Sequence, residues 1–89
     1  MELYEIYIEV FSTEAIPLSE FLLDVKKGKY GNFSEEDIRA FRYRLENNIQ
    51  ESAYLKGEEL SLSDIDIESV IEENIEEIRK TFLEVFGWL

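Results

Sequence analysis

Between Glu68 and Phe86, the apolar residues Ile71, Ile75, Ile78, Phe82 and Val85 recur at intervals of four, three, four and three. That period is one face of an α-helix, and Gly87 supplies its stop. About two heptads are short for a coiled coil, which favours packing of the stripe against the sheet or the second helix over pairing with another chain. With 89 residues, the expectation is one small domain over residues 1–89 with modest stability of its own.

The covering elements are read from the same kind of pattern. Residues 2–11 alternate, with Tyr4, Ile6, Ile8 and Val10 against Glu5, Tyr7 and Glu9, which predicts a β-strand. Pro17 suits a helix start, and Leu18, Phe21, Leu22 and Val25 follow at helical spacing. Lys26-Lys27-Gly28 then reads as a C-terminus closed by a left-handed glycine. Ser34 with Asp37 is a capping-box variant opening a second helix over about 35–50, striped by Ile38, Phe41, Leu45 and Ile49. Lys56-Gly57 reads as a turn, and Leu60, Leu62, Ile65 and Ile67 alternate in a way that fits a short strand near 59–67. A lone strand leaves its backbone groups unpaired, which favours that second strand as partner to the first. The rival reading of this stretch is a helix entry capped by Ser63. The expected class is therefore α+β: an N-terminal strand, paired with the short one, packed by about three helices of which the C-terminal is longest.

Composition removes most catalytic chemistries. Neither cysteine nor histidine occurs, so thiolate zinc sites, disulfides, Ser-His-Asp and Cys-His mechanisms are all absent. Asp64-Ile65-Asp66 lacks the spacing and central glycine of an EF-hand loop, and no Walker loop, dinucleotide fingerprint or nucleophile elbow occurs. No enzyme, metal or cofactor is expected. Acids stand where a signal peptide would carry positive charge, and no apolar run reaches the ~18 residues of a membrane span. The expected location is the cytoplasm.

Charge is the most informative feature for function. Lys plus Arg is 9 and Asp plus Glu is 21, for a net charge of −12. From Glu58 to Glu77 the charged residues are Glu58, Glu59, Asp64, Asp66, Glu68, Glu72, Glu73, Glu76 and Glu77, with no base among them. Six bases (Lys26, Lys27, Lys29, Arg39, Arg42 and Arg44) lie within residues 26–44 instead. Glu68, Glu72 and Glu76 form one row on the last helix, and Glu73 and Glu77 a second. Residues four apart lie ~6 Å from each other, near the ~7 Å spacing of phosphates on an extended strand. Ordinary solvated faces mix signs, and like charges at this spacing cost an isolated helix a few tenths of a kcal/mol per pair.

The expectation is a small acidic inhibitor or binding protein, a nucleic-acid mimic of immunity or phage type. It would occupy a basic surface on a nuclease or another DNA- or RNA-binding protein, with those nine carboxylates as the partner-binding residues. The same field argues against direct contact with nucleic acid or an anionic membrane. Aromatics among the six bases fit single-stranded nucleic acid only weakly, because local pairing such as Arg42 with Glu46 explains them equally well. The second reading is a structural or assembly protein acting through an exposed strand and an apolar C-terminal helix. Its interface residues would be Tyr7, Phe11, Phe86 and Trp88, and it would form a homodimer.

Overall fold

A computed structural model of the chain describes residues 2–89, and they form four helices. These are α1 (Leu3–Glu14), α2 (Leu18–Lys26), α3 (Glu35–Glu59) and α4 (Asp64–Phe86). The described residues contain no strand, so the α+β expectation gives way to an all-α fold.

The N-terminal segment explains the difference. Leu3 is buried and Tyr4, Ile6, Tyr7 and Val10 are packed against the core, an i, i+3, i+4, i+7 set hidden within the alternation. A helix satisfies its own backbone groups, whereas a strand here has no partner, because the segment proposed for pairing is itself helical. The residue left outward is Ile8, with Phe11 half exposed beyond it. An exposed edge strand for assembly therefore does not exist in residues 2–11.

The predicted strand near 59–67 divides between the end of α3, a tight turn and the start of α4. Ser63 is the N-cap of α4 and accepts from the Asp66 N–H at 3.3 Å, which is the helix-entry reading of this stretch. Gly57 is not a turn but lies inside α3, where its missing side chain admits Ile67 from α4. As a result α3 runs for 25 residues and exceeds α4 at 23, so the longest helix is not the C-terminal one.

The helix ends follow their local chemistry. Ser34 and Asp37 form the reciprocal capping box, each accepting from the other's backbone N–H at 3.1 Å. At the end of α2, Gly28 adopts φ +83° while Lys29 N–H bonds to Asp24 C=O and Gly28 N–H to Val25 C=O, a Schellman closure. The end of α3 repeats that pattern, with Leu62 N–H to Gly57 C=O and Ser61 N–H to Glu58 C=O. There the left-handed position is Ser61, at φ 57°.

α3 and α4 form an antiparallel hairpin, with α1 packed on α3 and α2 on α4 at its open end. The core lies there: Leu3, Phe21, Leu22, Val25, Ile38, Phe41, Phe82 and Val85. Phe41 binds it together, with ring centroids 5.7 Å from Phe21, 6.0 Å from Phe82 and 5.4 Å from Tyr7. Between residues 50 and 76 the buried positions are Gly57, Ile67 and Ile71, all on the α3–α4 seam. The helices thus extend past their coverings as a two-helix arm, and the molecule measures 43 × 28 × 19 Å.

Candidate functional site

The arm carries the acidic residues. Glu58 and Glu59 end α3, Asp64 and Asp66 begin α4, and Glu68, Glu72, Glu73, Glu76 and Glu77 follow along it. All nine are exposed. Because Ile67, Ile71 and Phe82 face the seam, the helical period turns the row 68–72–76 and the row 73–77 to either side of the outward direction. Among the described residues, the ion pairs are Lys29–Asp24, Arg39–Glu35, Arg42–Glu46 and Arg79–Glu46, and none engages any of the nine. Two of the nine also have a local role. Asp64 and Asp66 sit in the first turn of α4, where negative charge is favoured, and the Ser63 hydroxyl donates to Asp66 Oδ2 at 2.9 Å. The rows end at a shallow depression where Glu73, Glu76 and Glu77 meet Asn74 and Lys80.

The bases are spent elsewhere, mostly on the fold. Lys26 Nζ donates to the Val85 carbonyl at 2.9 Å, closing the end of α4. Arg39 Nε donates to the Leu89 carbonyl at 2.8 Å, and its guanidinium lies 4.7 Å from the Trp88 ring centre. Arg44 covers the Tyr4 ring at 4.6 Å, and Asn48 Nδ2 donates to the Tyr4 hydroxyl. Lys29, exposed, pairs with Asp24 at 3.6 Å, and that carboxylate holds its ammonium above the usual lysine range. Five of the six cations clustered in the sequence, all but Lys27, are therefore engaged with other groups of the fold.

Glu46 is the acid that sequence reading placed too simply. Its expected partner Arg42 is there, Nη1 to Oε2 at 3.0 Å, but both side chains are buried. Arg79 of α4 closes on the second oxygen, Nε to Oε1 at 2.7 Å. A residue 33 positions away supplies that contact, and no local spacing signals it. Arg42 Nε remains buried with no hydrogen-bond partner among the described residues.

The four apolar residues of the assembly reading occupy different settings. Tyr7 is half buried, its ring 5.0 Å from that of Phe21, and burial pushes its phenol up, with Tyr4 adding to the effect. Phe11 is half exposed at 5.9 Å from Tyr7. Phe86 and Trp88 are half buried against the core, 5.5 Å apart. Phe86 also lies 6.1 Å from Phe82. The four thus form two contacting pairs, Tyr7 with Phe11 and Phe86 with Trp88.

Among the described residues, no group of three or more acids is placed to hold a metal ion, and no helix is long and apolar enough to cross a membrane. No protein-family model, curated protein or solved structure matches this chain.

Proposed function

We propose that this chain is a small acidic binding protein that occupies a basic surface of another protein, with its carboxylate rows standing where phosphates would. The natural targets of such a surface are nucleases and DNA- or RNA-binding proteins, and the cytoplasm, where a chain without disulfides is at home, is the setting. One observation carries the reading: among the described residues, nine exposed carboxylates share one projecting arm and form no ion pair, while six of the chain's nine Lys and Arg residues (Lys26, Lys29, Arg39, Arg42, Arg44 and Arg79) are engaged with other groups of the fold. Uncompensated charge of one sign raises association rates with a complementary partner toward ~10⁸ M⁻¹s⁻¹ at low salt.

A pull-down from nuclease-treated lysate tests it. The tagged protein should retain a basic protein that elutes sharply as salt rises, and the variant Glu72→Lys/Glu73→Lys/Glu76→Lys should retain none while keeping its helical circular dichroism. A partner that survives both high salt and the triple reversal would sink the reading.

A further inference from the structure

The arm ends in large apolar side chains that the fold does not use. Ile65 is 77% exposed, Leu55 69% and Leu60 60%, the three highest values among the large hydrophobics, and Leu62 beside them is also exposed. Leu60, Leu62 and Ile65 surround the turn that joins α3 to α4, whereas Leu55, two residues before the seam-facing Gly57, points away from α4 beside Lys56, Glu58 and Glu59. They are not loosely held. The Schellman bonds at Ser61 and Leu62, the Ser63 cap and the close seating of Ile67 on Gly57 fix the turn from both sides.

Around them stand Glu58, Glu59, Asp64, Asp66 and Glu68, and across residues 45–78 the sole base is Lys56. An apolar centre inside a charged rim is the anatomy of a protein interface, where the desolvated middle supplies affinity and the rim supplies selection.

We infer that the hairpin tip is the anchor of the proposed interface, inserting Leu60, Leu62 and Ile65 into an apolar groove on a partner protein whose rim is lined with lysine and arginine. This rests on the acidic-binding reading and adds to it the affinity-bearing contact. Charge selects the occupant. A second copy docking tip to tip would press like carboxylates together, and an anionic lipid surface or a nucleic acid would meet the same repulsion. A groove that is apolar inside and basic at its edge satisfies both parts of the tip. Because its own hydrogen bonds already shape the turn, docking orders it less than it would order an open loop.

The probe is a fluorescein-labelled helical peptide of leucine and lysine, with the leucines on one face, paired with a control in which serine replaces every leucine at equal charge. Binding is read by fluorescence anisotropy at low and at physiological salt. The leucine peptide should bind at least ~10-fold more tightly than the serine peptide, and Leu60→Ser/Ile65→Ser should erase that margin, as expected from burying two aliphatic side chains. The same variant should keep the salt dependence and the circular dichroism of the parent. Ile8→Ser on α1, an exposed aliphatic away from the tip, should change nothing.

Equal binding of the two peptides, unaffected by Leu60→Ser/Ile65→Ser but abolished by Glu72→Lys/Glu73→Lys/Glu76→Lys, would overturn the anchor and leave the acidic reading standing. If neither peptide bound even at low salt, the acidic reading itself would fall, and the anchor with it. Equal losses from the Ile8 and tip variants would mean unspecific adsorption and overturn the anchor. So would a dimer in sedimentation that the tip variant dissolves, because the tip would then serve a second copy.

Discussion

Gly57 on α3 and Ile67 on α4 fill a single space: a β-carbon placed on Gly57 would lie 2.4 Å from Ile67 Cδ1 and 2.5 Å from its Cγ1. Glycine inside a helix costs roughly 1 kcal/mol relative to alanine, and that cost admits the close approach that seats Ile67. Gly57→Ala should therefore destabilise despite better helix propensity, by about 1–3 kcal/mol for overpacking. Ile67→Ala alone should cost about 2–5 kcal/mol. The double variant should fall well short of the sum, because each change makes room for the other. Urea titration of the four proteins checks the cycle, and strict additivity would contradict the shared space.

Ser61 and Ala15 hold left-handed backbone, φ 57° and φ 51°, at the ends of α3 and α1, where Gly28 does the same for α2 without penalty. A side chain in that region costs roughly 1–2 kcal/mol. Ser61→Gly and Ala15→Gly should each raise thermal stability by the equivalent of about 1 kcal/mol, while Gly28→Ala should lower it by a similar amount. Calorimetry on the three variants decides; a loss of stability in Ser61→Gly would contradict the strain.

Glu46 bridges two arginines whose situations differ. Arg42 is buried with it, whereas the Arg79 side chain is 50% exposed. Glu46→Ala leaves Arg42 charged and unpaired inside the protein and should cost about 3–5 kcal/mol. Arg79→Ala should cost far less, on the order of 1 kcal/mol, since water already reaches that guanidinium and Arg42 still answers the carboxylate. Chemical denaturation should rank the two variants in that order, and equal losses would mean that the bridge across α3 and α4 matters more than the buried pair.

Tyr7 supplies a pH signature. Its phenol titrates above the usual 10.0, chiefly through burial, so the folded state favours the neutral form. The stability this contributes is complete below pH 10 and is lost as the pH rises beyond it, because the unfolded chain releases that proton first. Tyr7→Phe should flatten part of the decline in denaturation midpoint above pH 10. An identical decline in both proteins would assign it to other groups.

Much of the helical framework is legible because its signals are local: the Ser34 box, the Gly28 closure and the Ile71–Val85 stripe each read correctly from a few neighbouring residues. Residues 2–11 failed because their apolar side chains fit a period of two and, through Leu3, Tyr7 and Val10, a helix as well. The choice was made by which backbone could find partners, a property of the whole chain. Gly57 misled for a similar reason, since its small size serves a helix 10 residues further on rather than a turn. The exposure of the nine carboxylates follows from their spacing on α4 and beside the turn. Leu60, Leu62 and Ile65 alternate as a short strand would, so their outward place at the tip follows only from the fold, while the Ser63 helix entry is a local signal.

Stability in this molecule is graded along its length. Two isoleucines and a glycine hold the far part of the arm, while eight buried side chains hold the base. Opening the arm leaves that larger cluster intact, so slow amide exchange should concentrate around Phe41 and Phe82 and fade toward Leu60. The same grading separates two kinds of selection. Residues at the turn can be exchanged over generations to follow a changing partner while the machinery of folding, at the other end, is left alone.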